Sequence, residues 1–142
     1  MRVNRLFTLV GAALVAALSL PVAVGAQAAQ SLGTVTLAKK VTADGQPLAP
    51  GTYTLRLSNE TASAVVGQPA DSERWVEFVQ GGKVKGRELA TVVSAADVKQ
   101  IAKMAPPAAG TAKVQTLKGD DYVRVWINRG GQNYLVHLTA EK

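Results

Sequence analysis

The chain of 142 residues contains no cysteine, a single histidine and only 5% aromatic residues. Without thiols there is no disulfide framework and no thiolate metal site, so one imidazole leaves zinc or copper binding without a ligand set. Acidic residues are scarce as well, ten against sixteen basic, and the one acidic doublet is Asp120-Asp121. That doublet sits in a turn, where an aspartate bonds its own backbone, which favours a local role over calcium ligation. The glycine pairs lie between strand-like runs and not ahead of helices, which excludes a phosphate loop. No serine stands in a G-x-S-x-G context, so the one histidine lacks a nucleophile of that kind. Basic residues are scattered singly or in twos, which is not the stripe that nucleic-acid binding needs.

One uninterrupted apolar run is present. Arg2 and Arg5 precede Leu6–Val24, Pro21 interrupts the end of the run, and Ala26-Gln27-Ala28 carries small residues at the −3 and −1 positions of a cleavage site. This is the layout of a secretory signal peptide covering residues 1–28. An uncleaved anchor is the alternative, because the run nearly reaches a bilayer-spanning length. The expected location is periplasmic or secreted, with no stable membrane insertion after cleavage. No cysteine marks the cleavage site, so lipid attachment there is excluded. Residues 29–142 then form one domain of ordinary size, with fourteen basic and ten acidic side chains.

The clearest structural signal is Asp121–Thr139 (DYVRVWINRGGQNYLVHLT). Gly130-Gly131 fits a type I′ turn, which needs φ > 0 twice. The register that follows sets Val123, Val125 and Ile127 against Leu138, Val136 and Tyr134 on one face. The other face pairs Trp126 with Leu135, Arg124 with His137 and Tyr122 with Thr139. Side chains alternate with period two, so a one-residue slip would undo both faces.

Elsewhere, Ser31–Thr42 reads as a strand whose alternation fails near Lys39-Lys40, predicting an edge strand, a bulge or an early end. Asp44-Gly45 marks a turn, and Pro47 and Pro50 are expected to hold the connection out of regular pairing. Gly51–Asn59 alternates cleanly, with Tyr53, Leu55 and Leu57 inward. Residues 60–72 read as a surface loop, with a short strand at 64–66 as an option. Glu73–Gln80 and Lys83–Val93 form a second hairpin around Gly81-Gly82, with Gly86 marking a bulge or a close backbone approach. Its simplest register places Glu77 opposite Gly86 and Glu88 opposite Trp75. Ser94 and Asp97 match a helix start, and Val98, Ile101, Ala102 and Ala105 form the inward stripe of one short helix ended by Pro106-Pro107. Ala112–Leu117 is a further strand. The sum is an all-β, antiparallel β-sandwich of about seven strands with one short α-helix; a small barrel is the alternative.

The segment Asp44-Gly45-Gln46-Pro47-Leu48-Ala49-Pro50-Gly51-Thr52-Tyr53-Thr54-Leu55 resembles the D-G-x-P-L-x-x-G-x-Y-x-L signature of bacterial prealbumin-like and Ig-like sandwich modules. These include the carboxypeptidase-regulatory-like domains. The resemblance implies that Gly51 admits a tight turn into the strand and that Tyr53 packs at the sandwich corner. It implies a fold and no activity.

For function, Glu73, Glu77 and Glu88 are the carboxylates that glycoside hydrolysis could draw on, but a solvated charged face that blunts sheet edges is the preferred reading. The reading is non-enzymatic, with no cofactor. The interaction patch singled out is Tyr122, Arg124, Trp126, Leu135 and His137, because aromatics beside arginine bring rigid area and a planar donor. Burial of Trp126 and Leu135 under the Val98–Ile101 helix or a long loop, as second-layer core, is the alternative. The expected partner is an envelope or secreted protein, bound by this patch or by strand addition at an edge. A glycan stacked on Trp75 or Trp126 is the second expectation, and a small hydrolase the third.

Overall fold

The computed structural model describes residues 30–63, 66–69 and 71–142. The expected signal peptide and the optional strand at 64–66 therefore fall wholly or partly outside the described residues. The described residues form nine strands and one helix: β1 (Ser31–Leu37), β2 (Val41–Ala43), β3 (Gln46–Leu48), β4 (Gly51–Thr61), β5 (Glu73–Gln80), β6 (Lys83–Ser94), α1 (Val98–Ala102), β7 (Thr111–Thr116), β8 (Tyr122–Arg129) and β9 (Gln132–Ala140). All ladders are antiparallel. The fold is all-β, as the punctuation of short strands predicts.

Following the ladders gives the order β1-β4-β5-β6-β9-β8-β7, with the small β2–β3 hairpin attached at the C-terminal end of β9. The sheet curls until β1 and β7 lie side by side, making a nearly closed barrel. Because direction alternates at every step, these two end strands run the same way, and among the described residues no ladder joins them.

The last hairpin carries the register read from its glycine turn, from Arg129 opposite Gln132 to Tyr122 opposite Thr139. Gly130 and Gly131 take φ of +63° and +75°, the conformation that only glycine enters without strain. Val123, Val125, Ile127, Tyr134, Val136 and Leu138 enter one core with Leu32, Val35, Leu37, Tyr53, Leu55, Leu57, Val76 and Phe78. Tyr53 is fully buried, edge-on to Phe78 with ring centroids 6.2 Å apart, and its hydroxyl donates to the Ala49 carbonyl at 2.7 Å. A buried tyrosine keeps its polar tip satisfied this way.

Four expectations are corrected. Pro47 is not outside the pairing: it sits in β3 opposite Thr42, an edge strand where the missing N–H costs no ladder bond. The strand β4 runs two residues beyond Asn59, to Thr61. In the second hairpin Lys85 is an extra residue, so Val79 faces Val84 while Phe78 faces Gly86, Glu77 faces Arg87 and Trp75 faces Leu89. The simplest register fails because the bulge shifts all pairs beyond it by one. Finally, α1 lasts only one turn, closed by Lys103 at φ +52°. Val98 and Ala102 point inward, but Ile101 is 57% exposed; with the helix ending at Ala102, the stripe expected to run on to Ala105 has no helix to carry it.

Gly86 explains how the barrel end is filled. A Cβ there would lie 3.1 Å from Leu48 Cδ2 and 3.6 Å from Ala43 Cβ. The β2–β3 hairpin can fold across β6 because that position has no side chain.

Candidate functional site

The alternation of β8 and β9 puts Tyr122, Arg124, Trp126, Leu135 and His137 on the outer face of the sheet, and α1 divides that face in two. At one end Trp126 and Leu135 are buried at 0% and 2% exposure, forming a second cluster with Val93, Val98 and Ala102. They are core, and the single five-residue patch is corrected accordingly. The physical reason is the placement of α1. The Ser94 hydroxyl donates to Asp97 Oδ2 at 2.7 Å and accepts from the Asp97 N–H, fixing the turn that enters α1. Lys113 then reaches from β7, donating to the Ala105 carbonyl at 2.9 Å with its ammonium 4.7 Å from the Trp126 ring. Trp126 Nε1 donates to Asn133 Oδ1 at 2.8 Å, so the indole is satisfied without water.

Beyond α1 the face is open. Tyr122 is 50% exposed, Arg124 is half-buried and His137 is exposed. Arg124 Nε donates to His137 Nε2 at 3.0 Å, which requires that nitrogen to be unprotonated. Partial desolvation of the ring, then the charge of Arg124, hold the His137 pKa below 6.5. Gln115 faces Arg124 on β7 and donates to Met104 Sδ at 3.4 Å. The surface therefore runs Met104, Gln115, Arg124, His137, Tyr122. Sequence reading missed Gln115 and Met104. The β7 alternation, which puts Lys113 and Gln115 on one face, is the signal that could have found Gln115; nothing local marks Met104.

The carboxylates do not converge. Glu77 pairs with Arg56, and Glu60 pairs with Arg87. Glu88 lies on the opposite face from Glu77 because of the Lys85 bulge; its oxygens accept from the Asp44 N–H at 2.7 Å and the Leu89 N–H at 3.0 Å. Glu77 and Glu88 therefore do not face one another across this hairpin. Asp121 pairs with Lys142 at 2.9 Å. Among the described residues no three acidic or histidine side chains are grouped to hold a metal ion, and no helix is long and apolar enough to cross a membrane.

Trp75 is half-buried on the outer face, with the Arg87 guanidinium carbon 4.4 Å from its ring centroid. Hydrogen bonding to Glu60 raises the Arg87 pKa further above its usual value. Beside this stack lies an open cleft of about 410 Å³ lined by Asp44, Gln46, Val84, Lys85, Gly86 and Arg87.

Comparison with protein-family models, with curated proteins and with solved structures finds no match to this chain.

Proposed function

We propose that this chain is an exported, non-enzymatic β domain of the cell envelope that binds a protein partner through the open face of β7–β9. One observation carries the reading: Met104 and Tyr122, two of the few large exposed apolar side chains, bracket the Arg124–His137 pair on a single continuous surface. Large apolar groups flanking a planar arginine are what protein interfaces concentrate. The Asp44–Leu55 resemblance, with Tyr53 tied back to Ala49, supports assignment to the prealbumin-like and Ig-like sandwich modules. Export rests on the basic, apolar and A-x-A pattern of residues 1–28, and N-terminal sequencing of the accumulated protein should begin at Ala29.

The test is crosslinking in envelope extract followed by mass spectrometry, comparing the wild type with Tyr122→Ala and Arg124→Ala. Both changes lie at the surface, so the variants stay folded by circular dichroism. A partner crosslinked to wild type and lost from both variants supports the reading. A partner retained by both removes it.

The Trp75–Arg87 stack beside its polar cleft favours glycan binding as a second reading, because an aromatic with neighbouring amide and charged groups suits a polyol. The guanidinium covers the ring, so a sugar would have to displace it. Cosedimentation with peptidoglycan that is abolished by Trp75→Ala is the expected result for that reading.

A further inference from the structure

The outward side of α1 has no role in packing. Val98 and Ala102 anchor the helix, while Ile101 and Met104 stay 57% and 52% exposed. Beside Met104 is a shallow depression of about 570 Å³ lined by Lys99, Gln100, Lys103, Met104 and Ala105. Met104 and Ala105 are its apolar lining, Lys99 and Lys103 bring two ammonium groups, and no carboxylate lines it.

Glu60, Glu77, Asp121 and Glu141 each sit in an ion pair, and Asp97 is held by the Ser94 hydroxyl. Among the described residues Lys99 and Lys103 have no acidic partner. Arg124 and the amide of Gln115 continue the same tract toward His137. The exposed Met104 side chain beside two unpaired ammonium groups makes a surface that lacks an anion and an apolar anchor at once.

We propose that this depression docks an acidic segment of a partner protein, with one aliphatic or aromatic side chain of that segment seated against Met104 and its carboxylates on Lys99 and Lys103. The proposal rests on the protein-binding reading and names the partner's chemistry. Charge selects against the other occupants. A second copy of a chain with net charge +6 would bring cations against cations. The chain's own leading residues, with Arg2 and Arg5 and no acid before residue 29, would do the same. A flat layer of anionic headgroups would meet the lysines but leave the concave floor unfilled.

The experiment uses the full chain, expressed with its leading residues and purified in the form it accumulates in. The probe is a labelled synthetic peptide with a leucine flanked by glutamates, read by fluorescence anisotropy. A matched peptide carries lysines instead. Saturable binding of the acidic peptide alone, weakening as salt rises, is expected. Lys99→Glu with Lys103→Glu should weaken it by about tenfold or more, and Met104→Ser should weaken it without changing its salt dependence. All three positions are exposed, and near-ultraviolet dichroism from the buried Trp126 verifies that each variant retains α1. Equal binding of the lysine peptide, or affinity unchanged in the variants, overturns the proposal. So does displacement of the peptide by phosphatidylglycerol vesicles, or self-association of the protein through Met104. The crosslinking experiment separates the two levels. A partner lost from Tyr122→Ala and Arg124→Ala but kept by the lysine variant leaves protein binding standing and removes the acidic-segment proposal.

Discussion

Trp126 and Asn133 join neighbouring strands on the outside of the sheet through an indole N–H to amide oxygen bond of 2.8 Å, and both are shut away from solvent under α1. The bond makes the helix, not the sheet surface, the destination of the indole. Trp126→Ala should therefore cost about 3–5 kcal/mol, the range for truncating a large buried aromatic. Trp126→Phe keeps much of the volume but strands the Asn133 oxygen, at about 1–3 kcal/mol. Urea unfolding midpoints at constant m-value measure both.

The contact between Gly86 and Leu48 is the second point of sensitivity. In Gly86→Ala the added methyl meets Leu48 Cδ2 at 3.1 Å, and overpacking of this kind costs about 1–3 kcal/mol. Leu48→Ala is costly alone because Leu48 is 1% exposed. In the double variant the clash is gone, so the two effects should sum to less than their separate values. Strict additivity in a double-mutant cycle would mean that the hairpin does not pack on Gly86.

Gly130 tests the turn that sets the register. No atom lies within 4 Å of a Cβ there, but its φ is +63°. Gly130→Ala should lose about 1 kcal/mol from backbone strain alone, and Gly130→Asn less, since asparagine tolerates the left-handed region. Thermal unfolding of the two variants gives the order.

His137 predicts a pH dependence with a definite sign. Its pKa is lowered in the folded protein, by desolvation first and Arg124 second. The unfolded chain therefore binds the proton more readily. The stability this group contributes is fully present above pH 6.5, is lost as pH falls through the lowered folded pKa, and is constant below it. As the only histidine, its titration is read directly by proton NMR. His137→Gln should remove this part of the pH slope while leaving any part due to carboxylates.

The Glu60–Arg87 pair is exposed on both sides, so Glu60→Gln should change stability by under about 1 kcal/mol, with denaturant melts as the check.

The last hairpin was readable residue by residue because two strictly alternating strands meet at a glycine pair that permits one tight turn. The β5–β6 hairpin has the same turn but not the same transparency: Lys85 adds a residue that no side-chain pattern announces, and only Gly86 hints at it. The face of Trp126 could be assigned from period two. What covers that face could not, since it depends on where α1 lands. Ile101 shows the opposite failure, a helical stripe extrapolated past a helix that stops after one turn. Pro47 misled because a proline excludes only a central strand, and β3 is an edge. For the site, Tyr122, Arg124 and His137 were placed correctly on one surface, while Gln115 and Met104 join it only through tertiary packing.

Seven strands that alternate in direction cannot close a barrel with an antiparallel pair. The two strands left facing one another, β1 and β7, are co-directional, and a ladder between them would have slanted bonds, slightly weaker per residue. The wall is thus uneven around its circumference. Amide protons along that line should exchange with deuterated solvent ahead of those on β5, β6 and β9, the result expected if the molecule opens there by unrolling into one continuous ribbon and not by parting into two halves.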